Sequence, residues 1–153
     1  MSNRVLSYVL RLVDALALVA LLVVANQVIP GAESYGTLPA GSTIAFSIGC
    51  VPLVYLAYVA NRLFGAIGRG DTFVKENATR LKRMGAASAA SAAVWVVCLV
   101  ICVVMGVGDG HFSVYEVLTV ALIFTVALSV ICFALGLLTD RAADIKSEND
   151  MTV

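Results

Sequence analysis

Four long apolar runs separated by short polar stretches set the pattern of this chain. The first extends from about Leu6 to Ile29 and stops at Pro30-Gly31. The second covers about Thr43 to Phe64 and carries Pro52 near its middle. The third runs from Ala86 to Val107, ahead of the breaker-rich Gly106-Val107-Gly108-Asp109-Gly110, and the fourth spans Val114 to Leu138. Each is long enough to cross a hydrocarbon core that needs about 20 helical residues. None alternates strictly between apolar and polar positions, and only helices or closed barrels satisfy their backbone groups in lipid. The pattern predicts an all-α integral membrane four-helix bundle, one domain over residues 1–153. A cytoplasmic connection (65–85) and a cytoplasmic tail (139–153) complete it. The first run has a basic start, but Asp14 interrupts it and no clear small-residue cleavage site follows, so it reads as a span rather than a signal peptide.

Composition agrees. The 153 residues are 61% apolar and 13% charged, against about 25% charged in an average soluble domain. A domain of this size cannot hide so much apolar surface from water, which excludes most soluble enzyme classes and disulfide-stapled secreted folds. Ten basic residues balance ten acidic ones, so net charge says nothing of partners, whereas placement says much. Arg4 and Arg11 flank the start; Arg62, Arg69, Lys75, Arg80, Lys82 and Arg83 surround the middle connection; Arg141 and Lys146 lie in the tail. The first and third loops hold no Lys or Arg. Because orientation follows Lys/Arg near span ends, the N-terminus, the C-terminus and the 65–85 connection are expected to be cytoplasmic. Tyr35, Phe112 and Tyr115 near the outer boundary, with Phe64 and Phe73 near the inner one, fit interfacial belts. Tyr55, Tyr58 and Trp95 fall deeper and are expected to pack between helices.

Few residues offer chemistry. Cys50, Cys98, Cys102 and Cys132 all lie inside spans without the C-x-x-C spacing or polar company of a redox site. The single histidine, His111, has no ligand set around it. No catalytic, metal or cofactor site is expected, and the chain is not expected to be an enzyme. Within the bilayer only Asp14 is a forceful ionisable residue. Arg11 and Asp14 are i,i+3 neighbours that could form an intramembrane pair, or Asp14 could instead dock a basic residue such as Arg62. The third span begins with nine consecutive Gly, Ala or Ser residues, Gly85 to Ala93. Gly85, Ala89 and Ala93, four apart, suggest close helix packing at the centre of the bundle; the alternative is a cavity open to the cytoplasmic side for a small ligand. A homo-oligomer is a further open partner expectation.

The middle connection carries most information. Gly65-Ala66-Ile67-Gly68-Arg69-Gly70 reads as a flexible turn, with Asp71 or Thr72 as the cap of the next helix. Val74, Ala78 and Leu81 then fall on one helical face, with Lys75, Arg80, Lys82 and Arg83 around it. Such a basic amphipathic helix between spans 2 and 3 would lie on anionic headgroups at 69–83, or would dock a cytoplasmic protein. Direct nucleic-acid binding is not expected, since charge beside a membrane explains the patch. The tail is expected to continue the fourth helix for one or two turns, become extended and lie with its acidic residues against the basic segment.

The stretch Gly70-Asp71-Thr72-Phe73-Val74-Lys75-Glu76-Asn77, followed by Arg80-Leu81 and Gly85, resembles the signature of a bacterial family of small four-span membrane proteins, domain of unknown function 2975. The ending Glu148-Asn149-Asp150-Met151-Thr152-Val153 resembles its C-terminal signature, with Met151 where Leu is usual. The resemblance implies a protein of the bacterial cytoplasmic membrane. Members are often encoded beside small helix-turn-helix repressors, which suggests by analogy a membrane sensor or tether for such a regulator. Asp71, Phe73, Asn77, Arg80, Leu81, Glu148 and Asp150 would then form its cytoplasmic contact surface, responding to an outer signal at residues 30–42 or 108–113. The competing function is a small transporter, channel subunit or lipid- or small-molecule-binding bundle built on the inner half of the third span.

Overall fold

The computed structural model describes residues 3–36, 40–104 and 112–151, the side chains of Phe112, Ser113 and Asp150 excepted. Asp109 and His111 lie outside them. The described residues form four long helices: α1 (Asn3–Ser34), α2 (Ser42–Arg69), α3 (Lys75–Val104) and α4 (Phe112–Met151). All four contain windows long and apolar enough to cross a membrane. At 1.5 Å per residue, the 40 residues of α4 reach about 60 Å, well beyond a hydrocarbon core, so its last turns project from the apolar slab.

Two helices contain proline and accommodate it differently. In α1, Pro30 does not end the helix as expected. The five residues Val24–Val28 form a π turn, and the Ile29 N–H donates to the Val24 carbonyl five residues back. A proline ring presses on the carbonyl four residues before it, and a widened turn at that level relieves the contact and lets α1 continue to Ser34. In α2, Pro52 lies inside an unbroken helix.

The helices pack in chain order. Backbones approach closely between α1 and α2, α2 and α3, and α3 and α4. One core cluster joins Val59, Ala60 and Leu63 of α2 to Leu81 and Met84 of α3 and Cys132 of α4. At the opposite end, Ile29 and Val114 bring α1 and α4 together beside Phe46, Cys102 and Leu118. The first cluster lies toward the end holding the start of α1, the α2–α3 turn and the end of α4, where the basic residues gather; we call it the basic end, and the other the loop end. Large apolar side chains such as Leu12, Val51, Val100 and Phe124 cover the exterior, as a lipid-facing surface demands.

α3 occupies the middle. Its buried seam is Asn77, Leu81, Met84, Ser88, Ser91 and Trp95, alternating steps of four and three as in a coiled-coil seam. Three hydroxyls fasten it: Ser88 donates to the Thr125 carbonyl (2.8 Å), Ser91 to the Gly49 carbonyl (2.7 Å) and Ser129 of α4 to the Gly85 carbonyl (2.9 Å). The small-residue expectation is thereby corrected. Gly85 does pack, against the Phe133 ring, but Ala89 and Ala93 face outward. In a run where every residue is small, size does not choose the buried face; the hydroxyls do, because lipid offers them no partner. Tyr55 and Tyr58 are likewise about half exposed, and only Trp95, 1% exposed, packs between helices as expected.

Gly49 marks where α2 and α3 come closest to the indole. A Cβ there would fall 2.2 Å from a Trp95 ring carbon, and a ring held on all sides has no flexible tip to retreat. Gly49→Ala is therefore expected to destabilise the bundle by about 1–3 kcal/mol, measured by thermal unfolding in detergent. Gly31→Ala, where a Cβ meets nothing within 4 Å, is expected to be neutral or slightly stabilising.

Candidate functional site

The α2–α3 turn at the basic end is built almost entirely from the motif residues. The glycine stretch is not a flexible turn: Gly65 and Gly68 lie within α2, which continues to Arg69. Both face α1. A Cβ on Gly68 would sit 2.9 Å from the Ser7 side chain, and the buried Ser7 hydroxyl donates to the Phe64 carbonyl at 2.6 Å. Only Gly70 turns the chain. With φ of +90° it adopts the left-handed conformation that costs glycine nothing, and two bonds close the helix end: Gly70 N–H to the Ile67 carbonyl and Asp71 N–H to the Ala66 carbonyl. This is a Schellman cap.

Neither Asp71 nor Thr72 caps α3. The helix starts at Lys75, and the Val74 carbonyl accepts from the backbone N–H groups of Asn77 and Ala78. The stabilising side chain is Asn77, fully buried. Its amide nitrogen donates backward to the carbonyls of Asp71 (2.5 Å) and Thr72 (3.1 Å), while its oxygen accepts from Arg80 at 2.8 Å. Arg80 also pairs with Glu76, and its side chain is only 14% exposed. Two donors and one acceptor are thus engaged, close to the full capacity of a carboxamide.

The expected contact surface is accordingly corrected. Asn77 and Leu81 are buried and Arg80 is mostly covered, so they shape the turn from within. Asp71 and Phe73 are exposed, Phe73 at 54%, and Asp71 makes only a long 3.8 Å contact to Arg69. Glu148 lies on the exposed last turns of α4, while the Asp150 side chain falls outside the described residues. The basic amphipathic segment, expected to join the third span directly, runs without a break into α3. Its apolar positions Ala78 and Leu81 are buried in the bundle, so that face is already occupied by protein.

The tail is helical through Met151 rather than extended, and its first turns carry carboxylates that meet lysines across the α3–α4 contact. Lys82 donates to Asp140 at 2.6 Å and Lys75 to Asp144 at 2.8 Å. Gly136 permits the approach: a Cβ there would lie 3.1 Å from Lys82 and 3.3 Å from the Ala78 carbonyl. Both pairs lie past the apolar stretches 86–107 and 114–138. The hydrogen bond from Lys82 holds the Asp140 carboxyl below its ordinary range, and the bond to Asp144 raises Lys75. A carboxyl lowered on folding contributes stability above its unfolded pKa of about 3.9 and loses it as pH falls through the folded value.

Arg11 and Asp14 do not pair: among the described residues no ion pair joins them. The Arg11 guanidinium instead crosses to α2 over Gly65, where a missing side chain leaves room, and Asp14 stays partly buried on α1. At the loop end Glu33, whose role no sequence pattern signals, caps α2. Its carboxylate accepts from the N–H groups of Gly41 and Thr43 and from the Thr43 hydroxyl, a favourable place for negative charge. Beside it lies a shallow depression of about 470 Å³ lined by Pro30, Glu33, Ser34, Ala40 and Thr43. The described residues contain no cluster of three side chains able to hold a metal ion.

The role of Asn77 is testable by a nearly isosteric change. Asn77→Asp keeps the shape and the acceptor for Arg80 but places carboxylate oxygen against two carbonyls. We expect it to destabilise by about 1–3 kcal/mol, at least as much as Asn77→Ala, in denaturant-dependent unfolding in micelles. An Asp variant as stable as the parent would show that the backward bonds carry no weight.

No curated protein and no solved structure matches the chain. The family model described as "Protein of unknown function (DUF2975)" matches residues 9–153, which takes in most of α1, the other three helices, the Asn77 turn and the tail, and the chain belongs to this family.

Proposed function

We propose that this multi-pass membrane protein is a non-enzymatic signalling or regulatory partner that works through its basic end. The observation supporting this is the contrast within one motif: Asn77 and Arg80 are spent on rigidifying the turn, while Phe73 and Asp71 stand on it exposed. An aromatic side chain held outside the apolar slab on a pre-organised turn is suited to anchoring a partner, since less ordering entropy is lost on binding. The membrane would be the bacterial cytoplasmic membrane, with this end inward. The partner would be a small soluble helix-turn-helix regulator, and the α4 end carrying Glu148 would flank the contact. The depression beside Glu33 is where an outer signal could enter.

Phe73→Ala and Asp71→Ala are expected to reduce recovery of a soluble partner from gently solubilised membranes at least about tenfold, with unchanged thermal unfolding. An identical set of recovered proteins from the Phe73→Ala/Asp71→Ala double variant would overturn the proposal.

A further inference from the structure

The basic end holds a second feature beside the turn. Arg11 of α1 and Arg69 at the end of α2 converge on the notch over Gly65. Measured from the point where a Gly65 Cβ would stand, Arg11 Nη2 lies at 2.5 Å and Arg69 Nη1 at 3.8 Å. Two guanidiniums flanking one point repel each other, more strongly where the dielectric falls toward the membrane. Little within the chain offsets this. Arg69 has only the 3.8 Å contact to Asp71, with both side chains more than 60% exposed, and Arg11 has no carboxylate within ion-pair distance among the described residues. Asp14, the nearest acid along α1, does not reach it.

The notch is also formed by backbone rather than by chance side-chain positions. Gly65 and Gly68 let α1 approach α2, and Ser7 is buried against Gly68 with its hydroxyl committed to the Phe64 carbonyl. That bond fixes α1 one turn from Arg11 and so fixes where Arg11 can reach. The site lies where the apolar run of α2 gives way to polar chain, the depth of lipid headgroups. A tetrahedral phosphate accepting from both guanidiniums at about 2.8 Å would supply the missing negative charge.

We propose that the Arg11–Gly65–Arg69 notch binds the phosphodiester of an anionic glycerophospholipid, so that a bound lipid bridges α1 and α2. The lipid is favoured over free phosphate because the notch opens at the membrane boundary, where acyl chains can lie along the exposed apolar surface of α1. Basic pockets between transmembrane helices are a known way to hold such headgroups.

The test uses the full chain in a neutral detergent, with phosphatidylglycerol, phosphatidylcholine or inorganic phosphate added. Phosphatidylglycerol is expected to raise the thermal midpoint and to remain as a mass adduct, and the other two are not. Arg11→Gln and Arg69→Gln should each lower phosphatidylglycerol affinity about tenfold, a loss of about 1.4 kcal/mol, while the midpoint in phosphatidylcholine stays unchanged. Arg83→Gln, removing an exposed cation on α3, should leave the affinity intact. The inference is overturned if inorganic phosphate reproduces the stabilisation, if Arg83→Gln weakens binding as much as the notch variants, or if the Arg11→Gln/Arg69→Gln double variant still retains the lipid.

Discussion

In a solvent that offers neither donors nor acceptors, every hydroxyl and amide within the apolar slab must find its partner inside the protein. That constraint organises this bundle. The indole N–H of Trp95 is buried without a partner among the described residues, whereas Ser88, Ser91 and Ser129 each close on a backbone carbonyl of a neighbouring helix. Such bonds average only about 0.6 kcal/mol and reach about 1.7, so their importance is directional. They decide which side of α3 is buried, and once that side is chosen Gly85 meets Phe133, Trp95 meets Gly49, and the seam from Asn77 to Trp95 follows at helical spacing. The hydrophobic effect, which decides such matters in water, has little preference here because lipid is as apolar as leucine.

The same reasoning separates what was legible in the sequence from what was not. Four helices of spanning length follow from the apolar runs alone, since their length and lack of alternation leave no other backbone solution. Facing was harder to read. Gly85, Ala89 and Ala93 fit a small-residue spacing, yet Ala86, Ala90 and others in the run fit neighbouring ones equally well. The informative letters were Ser88 and Ser91, whose i,i+3 spacing marks the buried edge. Prolines misled in a similar way: Pro30 looks like a stop, but a π turn absorbs its ring at the cost of one widened turn. The Gly65–Gly70 stretch reads as a loop because glycine is rare in helices in water, whereas in lipid glycine is the residue that lets two backbones meet.

The motif segment shows a further limit. Sequence patterns reveal that certain residues occur together but not whether they face a partner or their own backbone. Asn77 and Arg80 lie at i,i+3, a spacing that suits both. What settles the matter is Gly70: once it closes α2 with a left-handed cap, the carbonyls of Asp71 and Thr72 point back toward α3 and need donors. A carboxamide one turn into α3 supplies two, and a guanidinium then completes its oxygen. The exposed Phe73 is left over from this arithmetic of donors and acceptors, its ring not covered by the bundle.

Attachment is uneven across the four helices. α2, α3 and α4 are joined by the serine bonds through the slab and, for α3 and α4, by the two lysine–aspartate pairs beyond it. α1 approaches only α2 along its length, and its most apolar window contains no buried residue. Its polar hold on α2 within the slab is the Ser7 bond to Phe64, near the basic end, and its firm apolar hold is Ile29, at the loop end. Between them lie Asp14 and a π turn, neither of which adds cohesion. A shift of α1 must therefore give up the Ser7 bond at one end and the Glu33 bonds to Gly41 and Thr43 at the other, with little to hold it along its middle. Such a shift would alter both ends together: the loop-end cluster through Ile29, and the notch over Gly65 through Ser7 and Arg11. A lipid phosphate clamped between Arg11 and Arg69 would oppose that shift, four residues along α2 from the turn that presents Phe73.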